Sequence, residues 1–350
     1  MAIDANRIDE AGGALHARAM LDHSVLATGP GPYLLLLMAL ALDAYIGDPP
    51  VLYRVVPHPV ALMGRVVGWC DAKLNREDRG DATRRFRGGL AALALVGIAA
   101  TVGWAIHWAV GRISFGWLAE LVVVMTLIAQ RSLYKHVRAV AVALEDEGLA
   151  AGREAVRHVV GRNPEHLDAY GVARGAIESC AENFSDGVVA PVSWYLLFGL
   201  PGLLGYKMLN TLDSMIGHVT PRHRAFGWAS ARLDTVANYV PARLAALIIA
   251  FAAIGVPEAS PWAALKATWR DAGKHRSVNA GWPEAAMAGA LGLAIAGPRR
   301  YGERVVKDAW MGDGRARCSA RDIRRALTLF AAACLVGFAV VAAIATVASL

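Results

Sequence analysis

Residues 206–218, YKMLNTLDSMIGH, follow a nearly unbroken apolar run, VVAPVSWYLLFGLPGLLG, yet carry Lys207, Asn210, Thr211, Asp213 and Ser214. At about 100° per residue these five side chains and His218 share one arc of a helix, and Met208, Leu209, Leu212, Met215 and Ile216 share the other. The polar face has the residue types of a phosphate and metal site. Asp213 offers a carboxylate to a metal, Lys207 a point charge to phosphate, and Asn210, Thr211 and Ser214 offer hydrogen bonds. The same face can also be a polar seam packed against other helices, but ionisable groups at membrane depth are costly and usually line a cavity.

A second carboxylate-rich segment, ARGAIESCAENFSDG, sets Glu178 and Glu182 four apart on one helical face with Arg174, and Asn183 and Asp186 extend the arc. Mg²⁺ takes oxygen ligands and usually binds through one or two carboxylates plus phosphates. Glu178, Asp186 and Asp213 are therefore candidate Mg²⁺ ligands, and Glu178, Glu182, Asp213 and Lys207 candidate catalytic groups. A solvated face with an Arg–Glu pair is the structural alternative.

Three further clusters add candidates. LDAYIGDPP and VVPHPVALMGR supply Asp43, Asp48, His58 and Arg65, although a single His such as His58 is more often packed than functional. SARLDTVANYVPAR supplies Arg232, Asp234, Asn238 and Arg243. The loop at 275–283 joins donors, Asn279 among them, to glycine, where backbone can approach phosphate or simply turn. The candidate substrate-binding set is Asp43, Asp48, His58, Arg174, Asn183, Asn210, Thr211, Ser214, Arg232, Asp234 and Asn279. No GxxxxGK[ST], HExxH or GxSxG occurs, so any ATP site is not a P-loop, and generic motifs leave the reaction open.

The elements that must position these residues belong to a membrane chain. Of its 350 residues, 56% are hydrophobic and 19% charged, against about 25% charged in soluble domains. Apolar runs at 33–46, 89–110, 115–129, 188–204, 244–256 and 326–350 approach the ~20 residues that cross a bilayer. Those at 89–110 and 326–350 suffice alone; the others are short enough to be buried helices, tilted spans or re-entrant segments. The short link GRIS makes 89–110 and 115–129 an antiparallel hairpin. GLPG at 199–202 allows the run 188–204 to bend back as a half-membrane hairpin, which reconciles it with the basic segments on both its sides.

The net charge of +7 concentrates beside apolar runs, with six Lys or Arg between 71 and 87 and nine between 299 and 325. No nucleic-acid module is present. The positive-inside rule accounts for the pattern and puts these segments, with the active site, in the cytoplasm. Residues 131–161 carry Leu133, Val137, Val140, Leu144, Val156, Val159 and Val160 on helical stripes, and Gly148 and Gly152 divide them into two amphipathic helices. NPEHLD opens the next helix, with Asn163 as N-cap and Pro164 at its first position. Cys70, Cys180, Cys318 and Cys334 show no zinc or disulfide pattern and read as structural thiols. Residues 1–32 read as a polar N-terminal extension and not a signal peptide, leaving 33–350 as a single helical domain without a clear strand signal. The expectation is an all-α polytopic protein of the cell (inner) membrane, with amphipathic cytoplasmic helices and a re-entrant hairpin.

Taken together, LDAYIGDPP with PHPVALMGR, ARGAIESCAENFSDGVVAPVSWYLLFGLPG, YKMLNTLDSMIGH, FGWASARLDTVANYVPAR and SVNAGWPEAAMAGALG resemble the CobD/CbiB family of cobalamin biosynthesis, the integral-membrane adenosylcobinamide-phosphate synthases. The resemblance runs in order over about residues 34–325. It implies ATP- and Mg²⁺-dependent amide formation between the f-side propionate of adenosylcobyric acid and (R)-1-aminopropan-2-ol or its O-phosphate, and leaves room for a partner protein of the pathway. The residues then supply a mechanism: ATP converts the carboxylate to an acyl phosphate, and the amine displaces phosphate. Glu178, Glu182, Asp186 and Asp213 are candidates for binding Mg²⁺ or deprotonating the ammonium, and Lys207, Arg174 and Arg232 for steadying phosphate. Asn183, Asn210 and Asn279 are candidates for orienting substrate amides. The chain departs from the family pattern at SVNAGWP, where SPNAGWP is typical, and in the extension before residue 33. A non-catalytic module that binds or channels corrinoids is the alternative reading, and the density of carboxylates weighs against it. A transporter would show inverted repeats and longer spans.

Overall fold

The computed structural model describes residues 29–48, 52–54, 57–160, 164–301, 304–306 and 308–350. Most of the N-terminal extension, Pro49, Pro50 and the expected N-cap Asn163 lie outside the described residues.

Proline suits a first helical turn, where its missing N–H leaves nothing unsatisfied; α1 (Pro32–Tyr45) and α2 (Pro59–Leu74) both begin this way. His58 caps α2, its Nδ1 accepting from the Val60 N–H at 3.1 Å. α3 (Asp81–Val110) opens with an acidic residue at the positive end of the helix dipole. Its 30 residues extend about 45 Å, and it exposes Leu90, Leu93, Ile98, Val102, Trp104 and Trp108, a surface suited to lipid. α4 (Trp117–Leu127) turns back beside it, with His107 Nδ1 2.9 Å from Glu120 Oε2, and then diverges to pack on α1.

α5 (Gln130–Val142), a π turn (Ala143–Glu147) and α6 (Leu149–Arg157) bury Leu133, Val137, Val140 and Val156, as the stripe predicts. The break falls at Gly148 alone. Gly152 stays inside α6 and packs on Leu144, which a Cβ would approach to 2.4 Å. α7 (Ala169–Phe184) starts later than expected, because Asp168 and not Pro164 marks its beginning: Asp168 Oδ1 accepts from the Gly171 N–H at 2.6 Å.

A π turn (Ser185–Val189) joins α7 to α8 (Ala190–Ile216), and Gly199 interrupts α8 with φ +61° and ψ −151°, a conformation open to glycine. The chain reverses there. Trp194 and Tyr206 would stand about 18 Å apart along a straight helix, yet their rings stack at 6.4 Å. The Tyr206 hydroxyl also reaches Asp186 O at 3.0 Å. GLPG is thus the tip of a hairpin with limbs 190–198 and 200–216. The tip packs on α3 at Gly103, where a Cβ would meet Leu200 O at 2.8 Å, and Gly88 of α3 lies against Phe226 O, where a Cβ would meet it at 1.9 Å. These two contacts are about 22 Å apart along α3, against a hydrocarbon core of ~30 Å.

α9 (His223–Phe226) and α10 (Trp228–Ala237) follow, and α10 meets α11 (Tyr239–Ala252) at Asn238 with a bend of 46°. α12 (Pro261–Asp271) packs on the buried α13 (Gly281–Leu291) through Gly289, which faces Ala263 and Ala267. Two small antiparallel pairs precede α14 (Ala320–Ala348): β1 (Ile295–Ala296) with β4 (Trp310–Met311), and β2 (Arg299–Tyr301) with β3 (Arg304–Val306). Strands this short carry no readable alternation, which is why the sequence shows no strand signal. Among the described residues, Asp81–Val110, Trp117–Glu147, Ala169–Ile216 and Ala320–Ala348 are long and apolar enough to cross a membrane, and the bent pair α10–α11 makes a fifth such stretch. The protein is mostly helical, polytopic and carries re-entrant structure.

Candidate functional site

The second limb of the hairpin, the π turn after α7 and α10 meet around one cavity. The limb contributes Asp213, α7 and its π turn contribute Glu182 and Asp186, and α10 contributes Asp234. The loop before α13 forms a rim of His275, Arg276, Ser277 and Asn279. With Gly217, His218 and Asn238 these enclose about 500 Å³, within the ~300–1,000 Å³ of small-molecule sites.

The carboxylates dominate its electrostatics. Asp234, Glu182 and Asp213 all act on Asp186, and His218 acts on Asp213. Lys207 is buried on the same limb as Asp213 and acts on Asp186 and on Asp48. Like charges around one partly dry cavity repel strongly, a repulsion that a bound positive charge would relieve. Asp234 is the clearest case. Its Oδ2 accepts from Asn238 Nδ2 at 3.0 Å, while Oδ1 is buried without a hydrogen-bond partner. A buried acceptor left open costs about 1–3 kcal/mol, a cost that a bound cation or ammonium group would remove.

Among the described residues, no three His, Cys, Asp or Glu side chains converge closely enough to hold a metal ion on their own. Mg²⁺ does not need such a cluster when phosphate and water oxygens complete its shell. Asp186 and Asp213 supply oxygen donors of the right kind.

The rim is fastened from behind. Asn279 Oδ1 accepts from Arg243 Nη1 and its Nδ2 donates to Thr235 O, both at 2.9 Å. Arg243 lies over the Tyr239 and Trp282 rings, and Ser277 Oγ accepts from the N–H groups of Asn279 and Ala280. Arg276 pairs with Asp308 at 3.0 Å. Just beyond Gly217 and His218, Arg222 pairs with Asp71 at 2.8 Å, and Arg84 donates to Asn75 at 2.8 Å and to Arg222 O. Burial alone would raise the Asp71 carboxyl, but Asn75 and Arg222 hold it below its ordinary value. This network ties α2 and α3 to the mouth of the cavity.

Of the residues expected from the sequence, the cavity gathers Glu182, Asp186, Asp213, Asp234 and Asn279. Asn210 approaches Asp234. The remainder lie elsewhere. Glu178 is not brought to the cavity: its Oε1 accepts from the Ala296 N–H of β1 at 2.9 Å. Arg174 donates to Ala316 O at 2.8 Å and lies over Trp310, so these two residues fasten the segment before α14 to α7. Asn183 donates to Ser179 O, and the hydroxyls of Thr211 and Ser214 donate one turn back to Lys207 O and Asn210 O. Arg232 is exposed and outside the cavity lining. Asp43 caps α5, accepting from the Gln130 N–H at 2.8 Å. Asp48 forms its own cluster with Tyr53, at 3.0 Å, and His58, at 3.5 Å.

Of the lining residues, Thr235 and Gly217 have no place in the sequence reading, which names Asn238 and the loop at 275–283 only as members of their clusters. The four-residue spacing from Asp234 to Asn238, the same as from Glu182 to Asp186, is the signal that points to Asn238.

Compared with known families, residues 36–330 match the family described as CobD/Cbib protein. The chain is 51% identical over 319 residues to the cobalamin biosynthesis protein CobD of Sinorhizobium sp, an alignment covering 90% of this chain and 98% of the relative. It is 48% identical over 300 residues to the protein of that name from Brucella suis, covering 85% and 92%. It is 43% identical over 302 residues to the one from Rhodobacter capsulatus, again covering 85% and 92%. No solved structure matches the chain.

Proposed function

Because the chain belongs to the CobD/CbiB family of cobalamin biosynthesis, we propose that it is the adenosylcobinamide-phosphate synthase of that pathway. It joins the f-side propionate carboxylate of adenosylcobyric acid to (R)-1-aminopropan-2-ol or its O-phosphate, at the expense of ATP. The observation that carries this reading is the cavity lined by Glu182, Asp186, Asp213 and Asp234, one of them with a buried oxygen left open.

At neutral pH a carboxylic acid is ionised and an alkylamine protonated, so the two do not condense unaided. One needs activation and the other deprotonation. ATP activates the carboxylate as an acyl phosphate. Asp186 and Asp213 would hold Mg²⁺, which would supply positive charge against the phosphates. Asp234 receives the ammonium group at Oδ1, and it or Glu182 of the α7 lining takes the proton that frees the amine lone pair. A volume of about 500 Å³ suits the reacting ends of small substrates, so the propionate arm enters while the macrocycle stays outside.

Orientation follows from charge. Arg76, Arg79, Arg84, Arg85, Arg222 and Arg224 surround the end of α3 beside the cavity mouth, and the positive-inside rule puts that end, and the site, on the cytoplasmic side. Purified protein in detergent, given adenosylcobyric acid, Mg-ATP and either amine, tests the reading. Amide formation with one nucleotide consumed per product supports it. Binding without turnover for both amines sinks it and favours a corrinoid-binding module.

A further inference from the structure

Asp234 lines the cavity, with Oδ2 engaged by Asn238 and Oδ1 buried without a hydrogen-bond partner, and a carboxylate turns about its last bond unless something stops it. We infer that Tyr206 and Asn238 are positioning residues that hold Asp234 with Oδ1 presented to the amine substrate, an inference that rests on the synthase reading above.

Asn238 sits at the 46° break between α10 and α11. Its amide is held at both ends. Nδ2 donates to Asp234 Oδ2 at 3.0 Å, and Oδ1 accepts from the Tyr206 hydroxyl at 2.9 Å. Asp234, Asn238 and Tyr206 are all buried. Turning the amide over would set its oxygen against a carboxylate oxygen, two acceptors with no proton between them. The Tyr206 hydroxyl has one proton and two acceptors in reach, Asn238 Oδ1 at 2.9 Å and Asp186 O at 3.0 Å, and it supports the same orientation when it donates to Asn238. With Oδ2 engaged in this way, Oδ1 is the oxygen left for a ligand.

Tyr206 itself is fixed by the hairpin. Its ring stacks on Trp194 at 6.4 Å with 13° between planes, and its hydroxyl also lies 3.0 Å from Asp186 O. Tyr206 does not line the cavity. Whatever it does for the substrate must pass through Asn238 or Asp186. The reversal at Gly199 thus has a use beyond packing: it brings a phenol from the second limb beside the α10–α11 break and orients a carboxylate there.

Tyr206→Phe keeps the stacked ring and removes only the hydroxyl. The expected result is a rise of about tenfold in KM for the amine, with KM for ATP and for adenosylcobyric acid unchanged. Correspondingly, about tenfold more amine is needed for equal thermal stabilisation of the detergent-solubilised protein. Asn238→Ala should raise both quantities at least as much. A hydroxyl that serves packing alone would shift all three KM values together or none of them, and either result overturns the inference. Wild-type protein that shows neither turnover nor amine-dependent stabilisation would bring down the synthase reading itself. Full stabilisation by the amine in both wild type and Tyr206→Phe would leave that reading standing and remove only this one.

Discussion

Gly217 closes the helix that carries Asp213, and its substitution by alanine isolates the position of that carboxylate. The Gly217 φ of −73° suits any residue, so no backbone strain arises. What an alanine Cβ meets is Asp213, at 2.0 Å from Oδ1 and 2.7 Å from the carbonyl oxygen. Comfortable heavy-atom contacts lie near 3.5 Å, so the carboxylate must retreat by about 1.5 Å or change rotamer. An off-rotamer side chain costs about 0.5–1.5 kcal/mol, and the contact with the Asp213 carbonyl oxygen adds an overpacking cost within about 1–3 kcal/mol. Tm in detergent should therefore fall by several degrees, about 2–8 °C, with the protein still folded. Catalysis should fall further than stability, because a misplacement of this size can cost about 10²-fold. The assay is kcat for amide formation beside a thermal melt of the same preparation. Near wild-type kcat beside that fall in Tm would show that Asp213 can move without consequence and would refute its place in the chemistry.

Other perturbations read different parts of the structure. Burial alone would raise the Asp271 carboxyl, but bonds from Arg270, Lys274 and the Gly312 N–H hold it at about 2. Since the folded value lies below the ordinary one, the stabilisation, about 2 kcal/mol, is full above about pH 4 and fades as pH falls toward the folded value. Asp271→Asn should lower Tm at pH 7 and flatten its decline in acid; an unchanged acid profile would contradict this. Gly88→Ala should destabilise by about 1–3 kcal/mol through overpacking. Gly89→Ala, whose Cβ would meet Ala229 at an ordinary 3.7 Å, should not, and equal melts for the two would show that α3 and α9 are not in tight contact. Cysteines at Arg157 and Val219 should both react with a membrane-impermeant thiol reagent only from the cytoplasmic side, as a returning hairpin requires. Labelling from opposite sides would mean a single crossing.

Much of this architecture is legible in the sequence for physical reasons. Long apolar runs need no context, and Gly-Leu-Pro-Gly inside one of them announces a reversal because few other residues permit it. The site is legible only in part. Glu178 and Glu182 share a face of α7 one turn apart, yet β1 covers the first and leaves the second at the cavity. A two-residue strand has no periodicity to reveal that. Thr211 and Ser214 belong to the polar face but direct their hydroxyls to their own helix, a local bond that a helical projection does not show. Asp234 joins Asp213 only through the folding of the hairpin against α10, a long-range contact that helical spacing does not encode.

If ATP activates the propionate in this cavity before the amine attacks, one carboxylate oxygen must leave with the phosphate. Adenosylcobyric acid labelled with heavy oxygen in the f-side carboxylate, incubated with Mg-ATP, the amine and purified protein, makes that transfer visible by mass spectrometry. One labelled oxygen in inorganic phosphate for each amide formed is the expected result. Amide formed with no label in any phosphate, or with the label carried into AMP, would contradict activation through an acyl phosphate.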